Sequence, residues 1–418
     1  MTRVAAGEAA VSAAVAGAHR REWAFVLAAT VRVTRDLDLA EECVQDAYAQ
    51  ALRTWSERGI PQSPGAWLTT VARRRALDRR RRDTTFTRTL ALLVDDGIEP
   101  APHESTDEEI PDDRLRLIFT CCHPALPQEA QVALTLRLLC GLSTPEVARA
   151  FLLSTPTMAA RITRAKKKIA AAGIPYRVPD AEELPARIEA VLEVVHLLYT
   201  TGHTAPGGAD LVRRDLVERS HDLTRILRAL LPEEPGVAGL LALILLTDAR
   251  RPSRVTQDGS LVLLSEQDRE QWDRDAITEG VALVREALTR RPPSRFALMA
   301  AIAAVHAEAP SWQGTDWREI VALYNVLVQI WPSPVVALNR AVAIGLADGL
   351  TRGLQALDAL AAEPQLAGYS YLPAARADFL RRLGRDEEAR LSYQEALHLT
   401  ENTVERDFLA MRLRELDE

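Results

Sequence analysis

A chain of 418 residues exceeds what one compact core organises and points to several domains, and 47% apolar content excludes a disordered chain. The net charge of −7 speaks against a nucleic-acid binder taken whole, yet it divides unevenly. Residues 1–178 carry 25 Lys/Arg against 21 Asp/Glu, and residues 179–418 carry 26 against 37, so a basic front and an acidic back suit different partners.

Alternating β patterns are almost absent and glycine is sparse outside turns, so the expected fold class is all-α. The Ala-rich start, Ala5 to Ala18, is interrupted by Glu8 and poor in Leu, unlike a signal peptide. The longest apolar run, Val237 to Leu246, falls short of the roughly 18 residues that span a membrane. Four cysteines without a Cys-x-x-Cys pair fit a reducing cytoplasm and no zinc framework. Cys121-Cys122-His123 reads as small apolar filling of a helix interface rather than a redox or metal site.

Residues 10–82 form the first helical block, divided by the loop Gly59-Ile60-Pro61-Gln62-Ser63-Pro64-Gly65. Before the loop, Val44, Tyr48, Ala51 and Trp55 make one apolar stripe, and Glu41, Glu42, Gln45 and Asp46 crowd the other side. Such an acidic face suits a protein partner, and equally plain solvation. After the loop, Trp67 and Val71 anchor a helix start around Thr70. Seven of the ten residues from Arg73 to Arg82 are then arginine, Arg73, Arg74, Arg75 and Arg79 among them. A run this dense would engage several phosphates in a salt-dependent way. A membrane-surface helix is the rival, but the arginine half lacks an apolar face.

Residues 83–113 are acidic and contain Pro100, Pro102 and Pro111, which reads as a linker with one short helix around Thr89 to Leu93. Residues 114–178 are compact. There Ser143 or Thr144 caps a short helix with Pro145 in its first turn, and a second start follows at Ser154-Thr155-Pro156-Thr157. Met158, Ile162, Ala165 and Ile169 fall on one apolar stripe. The outer arc holds Thr157, Ala160, Thr163, Arg164 and Lys167, with Arg161, Lys166 and Lys168 at its margins. A short helix, a tight turn and a basic second helix make a helix-turn-helix. The chain's only three lysines are consecutive, Lys166 to Lys168, and suit phosphates, while arginine suits guanine edges.

Residues 179–418 are helical again, broken at Gly207-Gly208, Pro232 to Gly236, Arg251 to Gly259, Pro292-Pro293 and Ser311 to Thr315. Leu383 to Ala396 has the pattern of the second helix of a tetratricopeptide hairpin, with small Ala389 and Ala396 flanking Tyr393, and Pro334 to Ala341 opens another hairpin. Stacked α-hairpins are expected. The bend around Gly202-His203 and Gly207-Gly208 is a candidate small-ligand site. With no Gly-rich phosphate loop, nucleophile elbow or His-Glu-x-x-His, no enzymatic site, metal or cofactor is expected.

Ala40 to Tyr48 resembles the region 2 helix by which sigma factors dock on the clamp helices of core RNA polymerase. Trp67 to Asp78 resembles the region 2 helix that meets the −10 promoter element, although Arg74 stands where many members have Asn. Ala130 to Ile169 resembles region 4, whose helix-turn-helix reads the −35 element. Two such domains on a linker, with no region 3 domain between, are the pattern of the extracytoplasmic-function group. Leu197 to Thr204 and Ala301 to Pro310 are similar to its subgroup with a tetratricopeptide-like extension.

The resemblance implies region 2 at 10–82, a linker at 83–113, region 4 at 114–178 and a helical regulatory domain at 179–418 with a protein or ligand partner. Core polymerase would be bound through Glu41, Glu42, Gln45 and Asp46, and at its flap region. Melted DNA at −10 would meet Trp67, Thr70, Arg73, Arg74, Arg75 and Arg79. Double-stranded DNA at −35 would meet Thr155, Thr157, Ala160, Arg161, Arg164, Lys166, Lys167 and Lys168. A helix-turn-helix regulator that never joins polymerase is the alternative, and it leaves the block from Asp38 to Arg82 without a purpose.

Overall fold

The computed structural model describes residues 2–91, 113–151 and 153–416. Eighteen α-helices account for most of these residues, and the chain divides into two compact units, Met1–Val194 and Val195–Glu418. Among the described residues, no helix is long and apolar enough to cross a membrane.

The first unit opens with α1 (Thr2–Thr34), α2 (Leu37–Arg58) and α3 (Pro64–Ala91), each packed on the other two. Arg35 turns the chain after α1 with φ 57. Asp36 then caps α2 by accepting from the N–H groups of Asp38 at 2.8 Å and Leu39 at 3.0 Å. Gly59 ends α2 at φ +84, a conformation that favours glycine, and its N–H closes on the Trp55 carbonyl at 3.1 Å. The expected stripe of Val44, Tyr48, Ala51 and Trp55 is buried, together with Ala40, Cys43 and Ala47. Helix α3 does not stop at Arg82. It runs on to Ala91 because no Pro or Gly interrupts Asp83 to Ala91. The rest of the expected linker, 92 to 112, lies outside the described residues, as does Leu152.

Helix α4 (Asp113–Cys121) packs on α1. Helix α5 (Gln128–Leu134) passes into a π-helical turn at Thr135–Leu139, where Cys140 N–H reaches the Thr135 carbonyl. Helices α6 (Thr144–Ala150) and α7 (Thr155–Ala171) follow. Ser143 and Glu146 form a reciprocal capping box at α6, and Ser154 Oγ accepts from Thr157 N–H at 3.3 Å at α7. Met158, Ile162, Ala165 and Ile169 are the buried stripe of α7, as their spacing predicts. All four cysteines are free and buried. Burial raises Cys122 to about 12 and Cys121 well above an ordinary thiol, so neither has thiolate character at neutral pH.

The second unit begins within α8 (Leu184–His203) and continues with α9 (Arg214–Leu230), α10 (Pro235–Asp248), α11 (Arg274–Ala287), α12 (Arg295–Glu308), α13 (Trp317–Ile330), α14 (Pro334–Asp348), α15 (Leu350–Asp358), α16 (Tyr371–Arg382), α17 (Asp386–Leu399) and α18 (Thr403–Arg414). From α9 onward each helix packs on its chain neighbour, and α10 also packs tightly on α12. A Cβ at Gly239 would lie 2.6 Å from Ala297 N, so only glycine permits that approach of the two backbones. Tyr393 and Ala396 of α17 are buried with Ala377 and Leu409, while Ala389 is buried in the adjoining cluster with Leu354, Leu357 and Phe379. Two-residue strands β1 (Gly207–Gly208) and β2 (Glu401–Asn402) pair in parallel, joining the start of the unit to its end. The buried Asn402 amide reinforces the join by donating to the carbonyls of Ala205 at 3.1 Å and Asp210 at 2.9 Å.

Candidate nucleic-acid interface

Helix α7 presents the arc read from its sequence. Thr155, Thr157, Ala160, Thr163, Arg164, Lys167 and Lys168 are exposed. Arg161 is half-buried, with its guanidinium 5.7 Å from the Phe151 ring centroid, which fixes it beside the turn. Lys166 departs from the expectation. Its side chain is only 10% exposed, and its ammonium contacts Asp38 Oδ1 at 2.6 Å and Glu41 Oε2 at closer range. Burial opposes its charge, but the two carboxylates outweigh this and hold it above the ordinary lysine range.

The acidic side of α2 is therefore not an open face. Glu41 is buried, its side chain 7% exposed, contrary to its place on the polar side of an isolated helix. Arg137 Nη2 lies 2.7 Å from Glu41 Oε1, off the hydrogen-bond direction, so this contact is ionic. Arg137 also donates to the Leu142 carbonyl at 2.9 Å. Two further acids are taken up by α3: Arg75 reaches Asp46 at 2.8 Å and Gln50 at 3.0 Å, and Arg79 reaches Glu42 at 2.6 Å. Gln45 remains exposed. It borders a cleft of about 290 Å³ between α2 and α7, shared with Asp38, Glu42, Arg137 and Thr163.

The basic helix divides in the same way. Arg75 and Arg79 are braced against α2, whereas Arg73, Arg74 and Thr70 face solvent. Trp67 is half-buried, edge-on to Trp55 at 5.6 Å, and so also fastens α3 to α2. Sequence reasoning missed two groups that fasten the segments flanking the helix-turn-helix to α1. Trp23 Nε1 donates to the Leu138 carbonyl at 3.0 Å across 115 residues, and Tyr176 Oη donates to the Ala28 carbonyl at 2.9 Å. The two aromatic side chains with a polar tip, Trp23 and Tyr176, were the only sequence signals for these contacts.

Residues 20–85 match the family Sigma-70 region 2, and residues 116–169 match Sigma-70, region 4. The chain belongs to the sigma-70 family. It is a sigma factor of the extracytoplasmic-function type, which binds core RNA polymerase and directs it to promoters. Over 140 residues the sigma factor is 29% identical to the ECF RNA polymerase sigma factor SigK of Mycobacterium tuberculosis (strain ATCC 25618 / H37Rv), covering 33% of this chain and 74% of that one. The SigK of Mycobacterium ulcerans (strain Agy99) is 29% identical over 132 residues, 31% of this chain and 70% of its own. Across 394 residues the sigma factor is 41% identical to the uncharacterized protein R00370 of Rhizobium meliloti (strain 1021), 93% of each chain, and the two belong to one family. Residues 187–288 of the sigma factor match a family of unknown function, DUF6596.

Proposed function

We propose that region 2 docks on the polymerase clamp helices through the α2 face around Gln45, Glu42 and Asp46, with Glu41 joining once region 4 has moved away. Trp67, Thr70, Arg73 and Arg74 then meet the melted −10 strand, Arg75 and Arg79 hold α3 in place for it, and α7 reads −35 through Arg161, Arg164 and Thr157. Lys167 and Lys168 hold phosphates, and Lys166 follows when released from Asp38 and Glu41. Region 4 in turn engages the polymerase flap. The observation that supports this reading is the ion pair between Lys166 of α7 and Glu41 of α2. The chain free of polymerase is thus a closed form, and core enzyme opens it by competing for α2.

In this reading the domains run 10–82, 83–113, 114–178 and 179–418, the last a tetratricopeptide-like extension that controls activity. The burial of Ala389, Tyr393 and Ala396 and the run of neighbour-packed helices support that assignment. The protein acts in the cytoplasm and supplies specificity, not catalysis. Run-off transcription with core enzyme on candidate promoters tests it, and a purified full chain that neither binds core enzyme nor starts transcription with it would refute it.

A further inference from the structure

Between α10 and α11 the second unit carries a long connection, Ala249 to Asp273, with two short 3-10 turns and one antiparallel bridge between Val255 and Leu261. Connections above about 12–15 residues inside a compact domain generally serve a function. This one is firmly placed. Trp272 Nε1 donates to Ser253 Oγ at 2.9 Å, with both residues buried, Asp273 N–H bonds the Ala249 carbonyl at 3.1 Å, and Val262 N–H bonds the Arg254 carbonyl at 2.9 Å.

The connection holds Arg250, Arg254 and Arg269, all half-buried, and none forms an ion pair with a described residue. The Arg250 guanidinium has no hydrogen-bonding partner among the described residues. Arg254 donates to the His203 carbonyl and to Thr204 Oγ1 at 3.0 Å. Arg269 donates to the carbonyls of His306 at 2.6 Å and Ala309 at 2.8 Å, yet its Nη2 is buried with no acceptor. His306 Nδ1 is also buried without a partner. Tyr199 Oη lies between His203 Nδ1 at 3.0 Å and Thr247 Oγ1 at 2.6 Å.

Two carboxylates, Asp248 and Glu405, are close and act on Arg254, but neither forms an ion pair with Arg250, Arg254 or Arg269. Asp248 lies 3.7 Å from Arg251, and Glu405 accepts from Tyr371 Oη at 2.6 Å. Burial, with Arg254 adding its repulsion, pushes Arg250 down to about 10, and burial with Arg250 and Arg269 pushes His306 down to about 4. Among the described residues no carboxylate acts on Arg250 or Arg269, and gathering cations without counter-charge opposes folding. In residues 179–418, where acids outnumber bases 37 to 26, such a cluster is not needed to balance charge.

We propose that Arg250, Arg254, Arg269 and His306 form a binding site for a small oxyanion, a carboxylate or a phosphate ester, whose oxygens take up these unmet donors. Guanidinium forks fit both groups bidentately. The site does not depend on the polymerase reading of the front unit, and all of it but His306 lies within residues 187–288.

The test titrates the full chain with inorganic phosphate, citrate and, at matched ionic strength, chloride, followed by calorimetry and thermal unfolding. Phosphate, citrate or both should bind saturably and raise the melting temperature while chloride does not, and the preferred anion names the ligand class. Arg250→Gln should weaken that binding at least tenfold, yet leave the anion-free melting temperature unchanged or higher, because an unpaired cation has been removed. Arg250→Lys, which keeps charge without the fork, should fall between. No saturable response to either oxyanion, or equal responses to all three anions, overturns the site. So does an anion-free melting temperature that falls in Arg250→Gln, since that marks a structural residue.

Discussion

Lys166 of α7 and Glu41 of α2, 125 residues apart in sequence, share one buried ion pair. Glu41 serves two cations, Arg137 and Lys166, while Lys166 serves two acids, Asp38 and Glu41. Removal of either member is therefore unequal. Glu41→Ala strands two largely buried cations and should cost about 3–5 kcal/mol of first-unit stability, as breaking a buried pair does. Lys166→Met leaves Glu41 still matched by Arg137 and should cost less than half as much. Denaturant unfolding of both variants measures this, and equal losses would show that Glu41 is no more of a hub than Lys166.

Gln45 offers a cleaner probe of polymerase docking than its acidic neighbours, because Glu41, Glu42 and Asp46 each hold an internal cation. Gln45→Arg should reduce capture of core enzyme severalfold while shifting stability by no more than about 0.5 kcal/mol, as exposed substitutions do. Undiminished capture in a pull-down would move the docking face elsewhere.

On α7, Arg164→Ala should cost roughly 1–3 kcal/mol on a matched −35 site and relax preference there. Replacing Lys167 and Lys168 by Gln should weaken binding to all sequences and lower the salt slope by about one for each phosphate no longer neutralised. Binding isotherms on matched and mismatched duplexes at several salt concentrations separate the two effects. If Arg164→Ala weakens both duplexes alike, its guanidinium sits on a phosphate rather than a base.

The arginines of α3 should likewise separate. Arg75→Ala loses a partly exposed pair to Asp46 and should destabilise by about 0.2–1 kcal/mol, and Arg79→Ala, which loses a more exposed pair to Glu42, by less. Arg73→Ala and Arg74→Ala should leave stability unchanged and weaken capture of forked promoter DNA by holoenzyme. Thermal melts alongside fork-junction binding check the division.

Acid should loosen the second unit. Burial holds His196, edge-on to Phe296, and His306, edge-on to Trp317, down at about 4. The unfolded chain takes up their protons near pH 6.5 and the folded unit does not, so stability is full above that value and falls steadily toward pH 4. His196→Phe should flatten the decline, as read by denaturant unfolding at pH 7 and pH 5. An undiminished slope would place the acid sensitivity in other groups.

Much of the helix-turn-helix geometry was legible because its signals are local. Two Ser/Thr-Pro starts and a stripe at 158, 162, 165 and 169 define α6 and α7 without reference to the remainder of the chain. The same reasoning left Glu41 on an open acidic face, since helical periodicity cannot register Arg137 or Lys166 arriving from far along the sequence. It likewise read Arg75 and Arg79 as free for DNA, although they brace α2. In the second unit, the stretch from Arg251 to Gly259 was visible only as a helix break. That Arg254 meets His203, and Arg269 further along meets His306, depends on folding the long connection back across α8 and α12.

The short parallel join of Gly207–Gly208 to Glu401–Asn402 alters how the second unit can be made and unmade. An open stack of hairpins frays from its last member and tolerates the loss of one. Here the Ala205 and Asp210 carbonyls wait for an amide encoded nearly two hundred codons later, so during synthesis the seam stays open until Asn402 has left the ribosome. A chain cut short before that point lacks more than its final helices: the loop after α8 is missing its clasp as well. Integrity of the extreme end is thereby reported at the beginning, and a protease trimming α18 would be felt beside His203.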